Sequence, residues 1–353
     1  MPRQRPPVRI AVIGAGLAGQ QHIKAIARAA PAAKLSAVAD TDSAARALAE
    51  NAGAEWYPSL NALLDNAKPD GILLATPNEL HPEQARKTLA AGTPTLIEKP
   101  VATTARAAAA IARASEESGT AALVGHYRRH HPAVAAAREK IQSGALGEIV
   151  SVHAFFWLKK PDDYFKQKWR ARPGGGPVFI NLSHDIDIVR HLCGEVVAAH
   201  AFEANHVRGN AVEESAAISL RFAGGALGTV TASDVIPAPW SWELTARENP
   251  VYPPTGQSAI YIGGTRGSLE LPRGRLWRYA RRGDGWWHPL SADWRAERRD
   301  NDLLRRQICH FADVIRGESA PLVSAREGMR TLQVLEAIKK SARTGRVVKI
   351  EPK

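Results

Sequence analysis

Three short stretches of this 353-residue chain combine residue types suited to chemistry on a bound dinucleotide. Gly14, Gly16 and Gly19 stand in the spacing G-x-G-x-x-G, with Leu17 and Ala18 between the last two. The first glycine permits a tight turn, the second lets backbone approach a pyrophosphate, and the third lets a helix pack closely on a strand. The N-terminus of that helix then faces the anion. Asp40 follows Gly19 by 21 residues, where a carboxylate can accept hydrogen bonds from ribose hydroxyls. After Asp40 no arginine follows until Arg46, so a partner for a 2′-phosphate is not evident and NAD is favoured over NADP. The blander reading is a glycine turn with a capping aspartate. The second stretch is Thr76, Pro77 and Asn78, with His81 close behind; the third is Glu98, Lys99 and Pro100. A lysine beside a bound nicotinamide would feel low dielectric and a positive ring, both of which favour its neutral form and suit proton transfer. On the residues alone, Glu98-Lys99-Pro100 is equally well a turn.

These residues need a parallel sheet to carry them, and the chain supplies its pattern up to about residue 125. Apolar runs at 8–13, 35–39, 71–75, 93–97 and 121–124 alternate with helical segments such as 18–29 and 103–118. Fully apolar strands separated by helices give a doubly wound sheet of Rossmann type, with ligand loops at the carboxyl ends of the strands. Beyond residue 145 longer strands follow one another: 148–157, 196–207, 215–222, 226–233, 259–263 and 268–271. That pattern predicts a large open, mainly antiparallel sheet, with helices over 184–193 and 325–342 and a last strand at 346–350. Ser324 and Glu327 have the spacing of a capping box for the later helix, and Gly345 ends it. The expected organisation is an α/β chain with a cofactor domain over 1–125 and a substrate and oligomerisation domain over 126–353.

Composition narrows the partners. No apolar run approaches the roughly 18 residues of a membrane span, and the arginine- and proline-rich start reads as a disordered lead-in to a cytoplasmic protein. Cys193 and Cys309 are too few for a disulfide framework and are expected to be reduced core residues. The net charge of +12 includes ten arginines and no lysine between Arg273 and Arg306. Tryptophans interrupt that run, so a solvated or subunit-contacting face is expected there in place of a nucleic-acid surface. Eight of nine tryptophans lie after residue 150, and Trp286 and Trp287 in particular suggest a dimer or tetramer joined through the C-terminal sheet.

The glycine fingerprint, Asp40, Thr76-Pro77-Asn78, Glu98-Lys99-Pro100, Trp169-Arg170, Gly174-Gly175-Gly176 through His184-x-x-Asp187, and Gly264 to Leu269 together resemble the Gfo/Idh/MocA family of sugar and polyol oxidoreductases. The likeness runs over nearly the whole chain. It implies a Rossmann domain, then an α/β domain with an open sheet, with the C-terminal helix packing back on the Rossmann domain. It implies Lys99 as catalytic lysine, also placed to touch substrate, and His184 as its acid/base partner. Where the family commonly has an aspartate, four residues before that histidine, this chain has Ile180, with Asn181 next to it. Asp187, one helical turn past His184, is a candidate to orient the imidazole. Arg128 and Arg129, in the loop after the last Rossmann strand, are candidates to bind substrate, as are Trp169, Arg170 and Asn181. His126, His130 and His131 invite a metal reading, but adjacent side chains rarely converge on one ion and hydride transfer needs no metal when a lysine supplies positive charge. The expected activity is NAD-dependent transfer of hydride to or from a secondary alcohol of a small sugar, polyol or sugar acid. Two alternatives remain: a cis-dihydrodiol dehydrogenase whose arginines grip a carboxylate, and a dinucleotide-sensing regulator without chemistry.

Overall fold

Every residue of the strand Ile10 to Val12 is fully buried, as are Ile72, Leu73 and Leu74, so both faces of the first sheet are covered and its strands are apolar throughout. A computed structural model describes residues 5–294 and 301–351. The lead-in residues 1–4 and three of the arginines in the basic run, Arg295, Arg298 and Arg299, lie outside the described residues. The chain divides into two units: residues up to Tyr127 together with Asp302–Leu332, and Arg128–Asn301 together with the residues from Gln333 on.

In the first unit, strands β1 (Val8–Ile13), β2 (Ala33–Ala39), β3 (Glu55–Tyr57), β4 (Gly71–Leu74), β5 (Thr95–Ile97) and β6 (Ala122–Val124) are ordered β3-β2-β1-β4-β5-β6. All neighbours are parallel, which is the doubly wound order of dinucleotide-binding folds. β3 was not foreseen: it is three residues long, lies at the sheet edge, and has no buried residue to create an apolar run. Residues 302–332 also belong here, against the expectation that everything after 125 is the second domain. The reason is packing. Helix Leu303–Ile315 buries Ile308, Phe311 and Ala312 in the same core as Ile10, Val12, Ile26 and Leu73. It sits so close to β4 that a Cβ on Gly71 would lie 2.4 Å from Ile315 and 3.0 Å from the Phe311 ring.

The second unit holds a nine-stranded sheet of β7 (Ile149–Trp157), β8 (Val196–Ala204), β9 (Ser215–Phe222), β10 (Leu227–Ser233), β11 (Ile260–Gly264), β12 (Ser268–Leu271), β13 (Arg275–Tyr279), β14 (Leu290–Ala292) and β15 (Val348–Lys349). Its order is β14-β13-β12-β11-β7-β10-β9-β8-β15. Only the central β7–β10 pair among these is parallel. The period-two pattern is plain in β7, where Val152, Ala154 and Phe156 are buried while His153, Phe155 and Trp157 stand half-buried on the other face. Helix Leu182–Cys193 packs against β7 and is buried along ten of its twelve residues, His184, Asp185, Asp187 and Arg190 among them. A helix sunk this deeply must satisfy its charges internally. Cys193 and Cys309 are both free and only partly buried, less enclosed than core residues, and burial still pushes the Cys193 thiol up to about 12.

Candidate functional site

The cofactor cradle is built by the strand ends of the first unit. Gly14 has φ +92°, and a Cβ there would lie 2.7 Å from the Ala75 carbonyl oxygen, so only glycine fits the turn. A Cβ on Gly19 would lie 1.9 Å from the Gly14 carbonyl oxygen, which is how closely helix Leu17–Arg28 sits on the end of β1. Gly16, the residue capping that helix, faces open space: a Cβ on it would meet nothing within 4 Å. Leu17 is exposed and Ala18 half-buried, and the first helical turn carries no acid that would oppose an anion. Room beside an uncapped helix N-terminus fits a pyrophosphate. Asp40, at the end of β2, accepts the Ala15 N–H at 2.6 Å and the Asp42 N–H at 2.8 Å. Its carboxylate therefore ties the glycine turn to the second strand, a task beyond the expected contact with ribose.

The two remaining loops are locked to each other. His81 is fully buried, with Nε2 3.0 Å from the Thr76 carbonyl oxygen and Nδ1 3.3 Å from that of Pro100. Burial lowers its pKa against the pull of these carbonyls, so the ring is neutral and donates from one nitrogen. His81 was expected to contact the cofactor; its enclosed ring instead joins the 76–78 loop to the 99–100 loop. Thr76 Oγ1 donates to Gln84 at 2.6 Å, while Pro77 is exposed and Asn78 half-buried on the same loop. Glu98 accepts the Lys99 backbone N–H at 2.9 Å, and its other oxygen lies 2.6 Å from Nε2 of His22, a buried residue of helix Leu17–Arg28. Burial alone would push the Glu98 carboxyl up, but His22 and Lys99 together hold it below its usual range. Glu98 is thus an ionised clamp on the Lys99 backbone. His22 went unnoticed in the sequence, although it lies one turn after Gly19 and on the same helix face.

In the second unit the loop after β6 does not do what was expected of it. Arg128 is 2% exposed, and its guanidinium faces three carboxylates: Glu243 at 2.8 Å, Glu248 at 2.9 Å and Asp185 at 3.4 Å. It also lies over the Trp242 ring, whose Nε1 donates to Glu248 at 2.9 Å. Burial pushes the Asp185 carboxyl up to about 7, the Arg128 charge opposing this and Glu243 and Glu248 adding to it. Glu248 is raised in the same way. Arg129 binds Asp187 through two hydrogen bonds of 2.7 Å, with both side chains buried. Both guanidinium groups expected to grip substrate are therefore buried against carboxylates, as a buried guanidinium requires, and Asp187, the residue expected to orient the imidazole, also holds Arg129. His131 caps helix Pro132–Gln142 through Nδ1 and meets the Trp242 ring edge-on.

His184 is buried in the first turn of helix Leu182–Cys193. Asn181 precedes that helix, and its side-chain oxygen is buried without a hydrogen-bond partner. Trp169 is 54% exposed; Arg170 stacks on the Tyr164 ring at 4.0 Å and donates to the Tyr164 carbonyl oxygen at 3.0 Å. Lys99 belongs to the first unit and His184 to the second. Among the described residues no group of three or more His, Cys, Asp or Glu side chains could hold a metal. Glu243 and Glu248 carry no sequence signal that links them to Arg128, more than a hundred residues earlier in the chain.

The Arg129–Asp187 pair makes a direct prediction. Asp187→Leu takes away the carboxylate that receives two hydrogen bonds from the buried Arg129 guanidinium and should cost about 3–5 kcal/mol, whereas adding Arg129→Met should recover most of that loss. Urea unfolding of the single and double variants checks it.

Comparison with known proteins agrees with this geometry. Residues 8–126 match the NAD-binding Rossmann fold of the Gfo/Idh/MocA oxidoreductase family, and residues 138–350 match its C-terminal alpha/beta domain. The chain is 32% identical to the rhizopine catabolism protein MocA of Rhizobium meliloti over 53% of its own length and 57% of the relative's. Its match to an inositol 2-dehydrogenase of Saccharopolyspora erythraea, at 34% identity, also spans only about half of each, 55% and 56%. A 26% identical relative, the NAD-dependent scyllo-inositol 2-dehydrogenase of Bacillus subtilis, is matched over 98% of this chain and 97% of its own. Among solved structures, the WlbA dehydrogenase of Bordetella pertussis in complex with NADH and UDP-GlcNAcA superposes with a TM-score of 0.79 at 25% identity, covering 98% of this chain and all of that one. With both family domains matched in order over most of its length, the chain belongs to the Gfo/Idh/MocA oxidoreductases.

Proposed function

We propose that the chain is an NAD-dependent dehydrogenase that moves hydride between the nicotinamide and a secondary alcohol of a small sugar, polyol or sugar acid. The observation that carries this reading is the Glu98 clamp. It fixes the Lys99 backbone at the carboxyl end of β5, in the same unit as the glycine turn. Relatives named as inositol dehydrogenases and a WlbA neighbour bound to NADH support the same chemistry.

When bound, the dinucleotide supplies the hydride acceptor. The remaining work falls to side chains of the chain. The Lys99 ammonium lowers the pKa of the substrate hydroxyl beside it, and His184 shares the proton that the hydroxyl gives up as its C–H bond breaks. Asn181 stands next to the position where the family commonly has an aspartate, and its unpartnered oxygen accepts a hydrogen bond from a substrate hydroxyl. A homo-oligomer would cover the outward face of the nine-stranded sheet. There Phe155, Trp157, Trp240 and Tyr261 form a chain of ring contacts, and Phe202 and Leu227 are exposed.

Three outcomes test the proposal. Lys99→Ala and His184→Ala should each lower kcat by about 10² to 10⁴ in NADH-formation assays over a panel of inositols, sugars and sugar acids, and the double variant should be little worse than the poorer single one. A Lys99→Ala enzyme with full kcat would end the role given to Lys99, and a wild type that forms no NADH from any member of the panel would favour the sensor reading. Because the Asp40 carboxylate repels a 2′-phosphate, NAD should bind at least about tenfold tighter than NADP by calorimetry, and Asp40→Ala with Ser43→Arg should narrow that ratio. Light scattering at micromolar concentration should show a dimer or tetramer, and Trp157→Glu should shift it toward monomer.

A further inference from the structure

Glu213, just before β9, is buried, and both oxygens of its carboxylate are engaged. Oε1 accepts the Val178 N–H at 3.1 Å, and Oε2 accepts from Lys339 Nζ at 2.5 Å. Lys339, on helix Ala325–Thr344, also donates to Glu203 Oε2 at 2.7 Å. The same carboxylate explains a glycine. A Cβ on Gly176 would lie 2.2 Å from Glu213 Oε1 and 2.6 Å from Oε2, and the carboxylate could yield only by giving up Val178 or Lys339. Gly176 ends the Gly174-Gly175-Gly176 run that leads to Asn181 and His184, so the space its side chain would take belongs to Glu213.

The hydrogen bond to Val178 reaches beyond that residue. Pro177 has no N–H, so Val178 supplies the first backbone donor of the helical turn Pro177–Ile180. From that turn a ladder of backbone bonds runs on: Ile180 N–H to the Gly176 carbonyl oxygen at 3.1 Å, Asn181 N–H to that of Pro177 at 3.0 Å, and His184 N–H to that of Asn181 at 3.3 Å. Whatever sets Val178 therefore sets the start of helix Leu182–Cys193, where Asn181 and His184 stand. A turn this short does not hold its own position. A charge-assisted hydrogen bond from a buried carboxylate, itself pinned by a lysine, does that work.

We propose that Glu213 is a positioning residue for the acid/base histidine: held by Lys339, it fixes the turn Pro177–Ile180 and through that turn sets His184 and Asn181. It acts through the backbone, not on the substrate. The assignment rests on the dehydrogenase reading above and deepens it.

The test uses the full chain with two readouts: NADH formation on the panel of inositols, sugars and sugar acids, and, independent of activity, the NMR signal of the His184 ring, identified by its loss in His184→Ala. Glu213→Ala should lower kcat by about tenfold to a hundredfold and move the His184 signal, while NAD affinity stays within about twofold. Glu213→Gln with Lys339→Met keeps an oxygen for the Val178 N–H and removes both charges, so it should restore most of kcat and the signal. In a His184→Ala background, Glu213→Ala should cost less than about threefold more, because a residue that acts through His184 has nothing left to act on; a merely structural residue would repeat its full loss. Gly176→Ala crowds the carboxylate without removing it and should lower kcat and move the signal in its turn, which takes the place of Glu213→Ala should that variant not fold. An unmoved His184 signal, or a full repeat of the loss without His184, would overturn the positioning role while leaving the dehydrogenase intact. A wild type that oxidises no member of the panel sinks the dehydrogenase reading by itself, and the His184 signal then decides alone whether Glu213 sets that ring.

Discussion

The contact on which the first unit depends is the approach of a helix to a strand with no side chain between them. A Cβ on Gly19 would sit 1.9 Å from the Gly14 carbonyl oxygen, so any other residue at position 19 would push helix Leu17–Arg28 off the sheet. Two further features rely on that seat. The Ala15 N–H reaches Asp40 on β2, and His22 reaches Glu98 beyond β5. A displaced helix would lose the tie across the sheet in both directions, and the Lys99 backbone would lose its clamp with it. The cradle and the candidate catalytic lysine are thus set by one packing distance.

The second unit solves a different problem. Helix Leu182–Cys193 carries four charged or titratable residues into the interior, and each needs an answering group. Arg129 answers Asp187. Arg128 faces three carboxylates, and burial raises Asp185 and Glu248, with the neighbouring Glu243 adding to it. Lys160 and Arg208 share the carboxylate of Asp234. Buried charge of unequal count is costly in a resting protein.

The parts of this architecture that could be read along the chain are those written in local pattern. The apolar runs of β1, β2 and β4 and the alternation of β7 follow from burial on two faces and on one. The capping box of the last helix is realised in the Glu327 N–H reaching Ser324 Oγ at 3.3 Å. What escaped was written across distance. The return of helix Leu303–Ile315 to the first sheet depends on Gly71, over two hundred residues earlier. Arginines 128 and 129 looked like ligands because a sequence shows that a guanidinium is present but not that Glu243, Glu248 and Asp187 have already met it.

The nine-stranded sheet ends in stubs. β14 is three residues long and β15 two, and each pairs with a single longer neighbour. An edge that short offers too few free backbone groups to recruit another strand, so the sheet cannot easily be extended in the direction of its hydrogen bonds. The association proposed above would therefore use the face of the sheet, where the aromatic rings are, and growth would stop once that face is covered. The same stubs that look like the ragged margin of a fold would then separate a closed assembly of a few copies from open-ended aggregation.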